Sequence, residues 1–431
     1  MNHIIKYTLL SLLVFFNSSW MTGQTTPANP QTDIIAIVGG TIHVGNGELI
    51  QNGIIQFEKG KITYVGNEPQ KIAANARKIN ATGKEIYPGF IAANTNLGLN
   101  EIEQVKATID ESEIGAMNAN IRSIIAYNTD SRVQATLRSN GVLLAEVAPR
   151  GGIISGQSSL VQLDAWNWED ASICTDCAIH LNWPSPYRFN GWWAEPAASS
   201  VNEKYVKEVD RIKLFFDEAY AYSKNPPTSE KNLRYEAMLG VFNGTKKLMI
   251  HASLSKAIIA AVLFAKEYNL TPVIVDGEDS WRITSFLKEH NVPVLLSETH
   301  NLPQREDDDI DINFKTPKLL NDAGILFGLK LNGFWQQRNL AFQAGQMVAF
   351  GLDKEKAIAS ITGNIAKIFG QKNIGTIEVY KDATLFISEG DALDMKTNRV
   401  TSAFIQGREI DLNNHQKDLY QKYMNKYHPK N

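Results

Sequence analysis

The feature that most constrains this 431-residue chain is an alternation, from residue 86 to residue 373, of short apolar runs with helical stretches. The runs are Gly141-Val-Leu-Leu-Ala-Glu-Val147, Ala178-Ile-His-Leu-Asn182, Lys247-Leu-Met-Ile-His251, Pro272-Val-Ile-Val-Asp276, Val292-Pro-Val-Leu-Leu296 and Ile325-Leu-Phe-Gly-Leu329. Such alternation marks a parallel α/β sheet. One strand ending at Asn94 and another around Ser159-Leu-Val-Gln-Leu163 bring the count to about eight, which closes a (β/α)8 TIM-type barrel. Chemistry is then expected at the C-terminal ends of the strands.

The flanks have a different texture. Between residues 33 and 85, β-rich pieces such as Ile34-Ile-Ala-Ile-Val38, Gly53-Ile-Ile-Gln-Phe57 and Lys61-Ile-Thr-Tyr-Val65 are separated by Gly/Asn turns and read as a small antiparallel sheet. The same texture returns over residues 374–412, in Ala383-Thr-Leu-Phe-Ile387 and Ser402-Ala-Phe-Ile-Gln406. The expected organisation is an α/β chain whose barrel, 86–373, carries a small composite β domain built from both chain ends. Residues 198–240, charged and helix-prone, read as an insertion beside the barrel mouth. A helix over Ser253–Glu267, opened by a serine, puts His251 at a strand-to-helix junction. The polar tail 413–431 carries Tyr420, Tyr423 and Tyr427 at helical spacing, consistent with a helix on the surface.

A composition of 43% hydrophobic and 21% charged residues is that of a globular protein, and a net charge of −3 leaves no basic footprint for nucleic acid. Lys6, the apolar run Tyr7–Phe16, polar residues 17–19 and Met21-Thr-Gly-Gln24 follow the order of a secretory signal, with cleavage expected after Gly23. The expected destination is the periplasm or the extracellular space. The mature chain holds no span, since Lys256 and Lys266 cut off the apolar run Ala257–Ala265. The only cysteines, Cys174 and Cys177, stand at C-x-x-C spacing and read first as a local disulfide. A redox pair, or half a zinc site with His180, is the alternative.

Several motifs occur in a recognisable order: Val38-Gly-Gly-Thr-Ile42, Tyr87-Pro-Gly-Phe-Ile91, Ile250-His-Ala252, Arg338-Asn-Leu340 with Gly351-Leu-Asp353, Ile361-Thr-Gly-Asn-Ile-Ala-Lys-Ile368, and Ile374-Gly-Thr-Ile-Glu-Val-Tyr-Lys-Asp-Ala-Thr-Leu385. Together, from Asp33 to Asp411, they resemble the amidohydrolase superfamily, in its secreted, imidazolonepropionase-related branch. The resemblance implies a hydrolase acting on carbon–nitrogen bonds other than peptide bonds. It also implies a divalent metal, commonly zinc, held by His-x-His on the first barrel strand, a His on the fifth, a His on the sixth and an Asp on the eighth. Such a metal lowers the pKa of a water, whose proton the eighth-strand carboxylate moves. Carried over by position, the first strand offers Asn94 and Asn96, the fifth His251, the sixth Asp276, and the eighth Asn332.

The chain departs from the pattern where the ligands belong. An asparagine oxygen is a neutral, hard donor that suits calcium or magnesium better than zinc. The remaining metal candidates are His251, Asp276 and His300, the last from Ser297-Glu-Thr-His-Asn301 after the seventh strand, with Glu298 nearby. Either one divalent ion, zinc by the resemblance, occupies a rebuilt site, or no metal is bound. Asp276-Gly-Glu-Asp-Ser280 also reads as a cap of the helix that follows. The acidic run Glu306–Asp311 lacks the glycine and closing Glu of a calcium loop.

The catalytic candidates are therefore His251 and Asp276, and the substrate-binding candidates Arg150, Asn94, Asn96 and Asn332. Arg150 belongs to the glycine-rich loop Ala148-Pro-Arg-Gly-Gly-Ile-Ile-Ser-Gly-Gln157, which could hold an anionic group or be a plain flexible loop. Trp166, Trp168, Trp183, Trp192 and Trp193 offer an aromatic wall or ordinary packing. Two functions stay open. One is a carbon–nitrogen hydrolase acting on a small molecule. The other is a catalytically inactive relative that binds a small ligand, forms a homodimer or pairs with an active amidohydrolase.

Overall fold

The computed structural model describes residues 26–192 and 195–428. The expected leader, residues 1–23, and Trp193 lie outside the described residues. From the N-terminal side come β1 (Ile35–His43), β2 (Leu49–Glu58), β3 (Lys61–Gly66), β4 (Arg77–Asn80) and β5 (Glu85–Pro88). The apolar positions of β1 and β2, Ile35, Ile37, Ile55 and Phe57, are buried in one cluster with Phe404. Next come β6 (Phe90–Thr95), β7 (Val142–Val147), β8 (Ile154–Gln162) and β9 (Ser172–Asn182), a hairpin of β10 (Tyr187–Trp192) and β11 (Glu195–Val201), and then β12 (Lys247–Ala252), β13 (Val273–Asp276), β14 (Val294–Leu296) and β15 (Phe327–Leu329). The last strands are β16 (Leu385–Ser388), β17 (Val400–Ile405) and β18 (Arg408–Glu409).

One sheet runs β18-β17-β16-β5-β1-β2-β3, with β4 paired to β1, so strands from both ends of the chain share it. The other runs β15-β14-β13-β12-β9-β8-β7-β6. A parallel bridge between Ala93 and Lys330 brings its two edges together, leaving a nearly closed, parallel-rich barrel. Its direction corrects the expectation of an all-parallel sheet: β8 is antiparallel to both β7 and β9. The connection from Val147 to Ile154 is too short for a crossover helix, so the chain must turn straight back. Gly151 and Gly152 make that turn at φ of +79° and +66°, the left-handed region that glycine enters without penalty.

The stretch 198–240 contains helix Tyr205–Lys224 and most of helix Leu233–Phe242, which pack through Phe215 on Tyr235 and Phe216 on Phe242. The helix after β12 spans Ser255–Glu267 and is not capped by its own serine. Its first free N–H, on Ser255, donates to Asp279 Oδ2 at 3.0 Å. Asp279 thus caps the helix before it and not the one after it. The C-terminal helix His415–Tyr427 buries none of its residues. Among the described residues no helix is long and apolar enough to cross a membrane.

The two sheets meet at Tyr87, Phe90 and Phe386, whose rings lie 4.9–6.0 Å apart. His43 stacks on Tyr87 at 4.2 Å, and its Nδ1 and Nε2 lie 2.7 and 2.9 Å from Glu355 and Glu85. Burial opposes its charge, but the hydrogen bonds that the ring donates to both carboxylates outweigh it and raise the pKa above the ordinary 6.5. The charged form is therefore favoured by folding, and its contribution is complete below the unfolded pKa and lost as pH rises through the folded one. Stability by chemical denaturation should fall as pH climbs from about 6.5, and His43→Phe should abolish that slope.

Candidate active site at the barrel mouth

A line of polar side chains, buried at Glu146, His180 and Lys330 and reaching the surface at Asn332, crosses the C-terminal end of the barrel. It begins at Glu146, a carboxylate set among the apolar residues of β7 and fully buried. Glu146 accepts the backbone N–H of Asn94, at the end of β6. Its Oε1 lies 3.0 Å from His180 Nε2, and Ser158 Oγ lies 2.8 Å from the same nitrogen. His180 on β9 faces Met249, one layer below His251, which faces Asn182. His180 Nδ1 is 3.0 Å from His251 Nε2, and His251 Nδ1 is 3.4 Å from Asp276 Oδ2. Asp276 Oδ1 then lies 2.6 Å from Lys330 Nζ, which donates to Asn332 Oδ1 at 2.7 Å. Asn332 finally donates its backbone and side-chain N–H groups to Glu298 at 2.9 and 3.0 Å.

Electrostatics separates these groups into distinct states. Burial opposes ionisation of Asp276, but the Lys330 ammonium, with His251 behind it, holds the carboxyl far below the usual carboxylate range. Glu146 is also lowered, with His180 outweighing burial. Burial holds His251 below the ordinary imidazole value although Asp276 pulls the other way, so the ring is neutral near neutral pH. Glu278 goes in the opposite direction: burial and then the charge of Asp276 raise its pKa. Asp276 is thus held ionised, while Glu278 holds its proton more tightly than an ordinary glutamate.

The neutral His251 borders a cavity of about 180 Å³ that is also lined by Trp183, Ser185, Ser253, Asp276 and Gln304. The site can therefore take up a proton at His251, with Asp276 placed to stabilise the imidazolium.

The divalent ion implied by the resemblance does not fit these donors. Each nitrogen of His251 faces another group, Asp276 is occupied by an ammonium, and Asn94 and Asn96 offer neutral oxygens. A second cation beside Lys330 would meet repulsion in a low-dielectric site. Among the described residues no group of three or more His, Cys, Asp or Glu side chains is arranged to hold a metal. His300 stands apart, exposed, with its ring 5.5 Å from Phe314.

Other candidates take their places around the mouth. Asn94 is fully buried at φ +50°, and neither its Oδ1 nor its Nδ2 has a partner. Asp276 is also left-handed, at φ +77°. Such strain is maintained only where the surrounding structure imposes it. Asn96 donates to Glu111 and leaves its buried Oδ1 unpartnered. Arg150 Nη2 donates to the Asn94 carbonyl at 2.8 Å, which ties the glycine-rich loop to the first strand. Trp183 is buried against Phe264, Trp166 is exposed, and Trp168 lies under Arg122. Cys174 and Cys177 are joined to each other, and His180 serves the buried line. In the acidic run, Asp308 pairs with Arg282 and Arg305, and Asp309 with Lys315.

Glu146, Glu278 and Lys330 are not among the candidates that the sequence offers, and His180 is one only beside the cysteines. A charged residue inside an apolar strand, as in Val142-Leu-Leu-Ala-Glu-Val147, is the signal that points to Glu146, because such residues are rarely buried without partners.

No protein-family model matches this chain, and no curated protein matches it. Solved structures share its fold. An amidohydrolase from Thermotoga maritima MSB8 superposes with a TM-score of 0.76 at 21% identity, over 88% of this chain and 99% of that one. A prolidase complexed with N-methylphosphonate-L-proline gives 0.53 at 16% identity, over 88% and 99%. An adenosine deaminase from Xanthomonas campestris with bound zinc gives 0.51 at 12% identity, over 92% and 98%. At these identities the likeness is one of fold.

Proposed function

We propose that this chain is an exported member of the amidohydrolase superfamily, related to imidazolonepropionase, that hydrolyses carbon–nitrogen bonds other than peptide bonds in a small substrate without a metal ion. The observation that carries the reading is the ion pair of Asp276 with the buried Lys330 beside a neutral His251. In this reading His251 takes the proton of a water as its oxygen bonds to the substrate carbon. Asp276 stabilises the imidazolium, and Lys330 keeps Asp276 ionised. The His251 imidazolium then gives the proton to the nitrogen as the carbon–nitrogen bond breaks. The amidohydrolase and prolidase neighbours support the reaction class, and the ordered motifs from Val38 to Leu385 support the branch. Export is supported by the leader-like residues 1–23 and by a disulfide, a bond that persists in oxidising compartments.

The test is elemental analysis of the purified protein together with a screen of cyclic amides, N-acyl amino acids and carbamates, with and without chelator. Expected are no stoichiometric metal and turnover that the chelator leaves unchanged. About one ion per chain, absent from His251→Ala, would sink the metal-independent mechanism. A second reading, a binding protein that works alone, as a homodimer or beside an active amidohydrolase, draws on the buried, unpartnered amide of Asn94, which suits a polar ligand better than it suits catalysis. Saturable ligand binding with no turnover across the screen would favour it.

A further inference from the structure

A second cavity lies beside the mouth. It measures about 420 Å³, with Ile153, Trp183 and Ile212 on its apolar side and Lys204, Lys207 and Arg211 on its charged side. The three cations stand at the start of the helix Tyr205–Lys224, at spacings of three and four residues, and so share one face. Like charges at these spacings destabilise a helix, and cations in a first turn also oppose its dipole. Elsewhere on the same helix, Lys213 pairs with Glu267 and Lys224 lies over Tyr220. Lys204, Lys207 and Arg211 have no ion pair among the described residues. The one carboxylate in the lining, Glu208, accepts from Asn202 Nδ2 at 3.2 Å.

The cavity touches the first one through a single residue. Trp183 lines both, and its backbone N–H donates to the His251 carbonyl at 3.1 Å. From this geometry we infer a ligand-anchoring subsite: Lys204, Lys207 and Arg211 hold the carboxylate of an organic acid whose apolar body lies along Trp183, Ile153 and Ile212. The ligand class is a small carboxylic acid with an apolar middle, and the subsite serves it whether the centre hydrolyses or only binds.

The probe is 8-anilino-1-naphthalenesulfonate, which joins an apolar ring system to an anion, compared with its uncharged analogue N-phenyl-1-naphthylamine. Wild-type protein should bind the anionic dye saturably, at one site per chain, at least tenfold tighter than the neutral one. The double variant Lys207→Glu, Arg211→Glu changes exposed side chains only and should lose at least tenfold in affinity for the anionic dye while keeping the neutral dye within twofold. Raising the salt concentration should weaken the wild type and leave the variant unchanged. Absence of saturable binding, equal affinity for the two dyes, or an anionic-dye affinity that survives charge reversal would each overturn the assignment. Turnover is read separately, so failure of the hydrolase reading leaves this outcome intact.

Discussion

Lys330→Met lowers the unfolding free energy by about 3 kcal/mol, because a methionine of similar length leaves Asp276 charged, three-quarters buried and without its cation. Asn332 loses a donor in the same step. Chemical denaturation measures the loss, and the double variant Lys330→Met, Asp276→Asn should recover more than half of it, since no lone charge then remains. The sign of the pH dependence provides a second reading. A carboxyl depressed by folding contributes stability that is complete above its unfolded pKa and disappears as pH falls through the folded value. Wild type should therefore lose this contribution in acid, and Lys330→Met should show a flatter acid limb. A Lys330→Met protein as stable as wild type would remove the ion pair from the account of this barrel.

The second large effect belongs to turnover. His251→Ala should cut kcat/KM by about 10²- to 10⁴-fold, the range of a general base. Because burial holds His251 below the ordinary imidazole value, the acid limb of the wild-type rate profile should lie at a lower pH than a free imidazole would give. His251→Gln keeps much of the volume and should lose the same activity, which separates proton transfer from packing. Turnover retained in both variants would move the chemistry elsewhere.

The strands were legible because each is a short apolar run between helical stretches, and the runs ending at Asn94, Val147, Asn182, His251, Asp276, Leu296 and Leu329 all lie in the second sheet. The reversal of β8 was not legible, since an apolar strand reads alike in either direction and only the length of its connection decides. At the site, the strand-end rule points to His251 and Asp276 because both residue types can ligate a metal. A lysine that supplies positive charge is not such a type, and the contact between His180 and His251 depends on the register of β9 against β12.

The sheet shared by the two ends of the chain has a consequence for synthesis. Strand β5 must wait for β16, about 300 residues later, and at roughly 5–20 residues per second that delay lasts about 15 to 60 seconds. Until then the edge of β5 is a bare template for any passing strand. A ribosome stalled before Leu385 releases a chain with its barrel strands present but that edge open, and chaperone dependence should be greatest for such fragments.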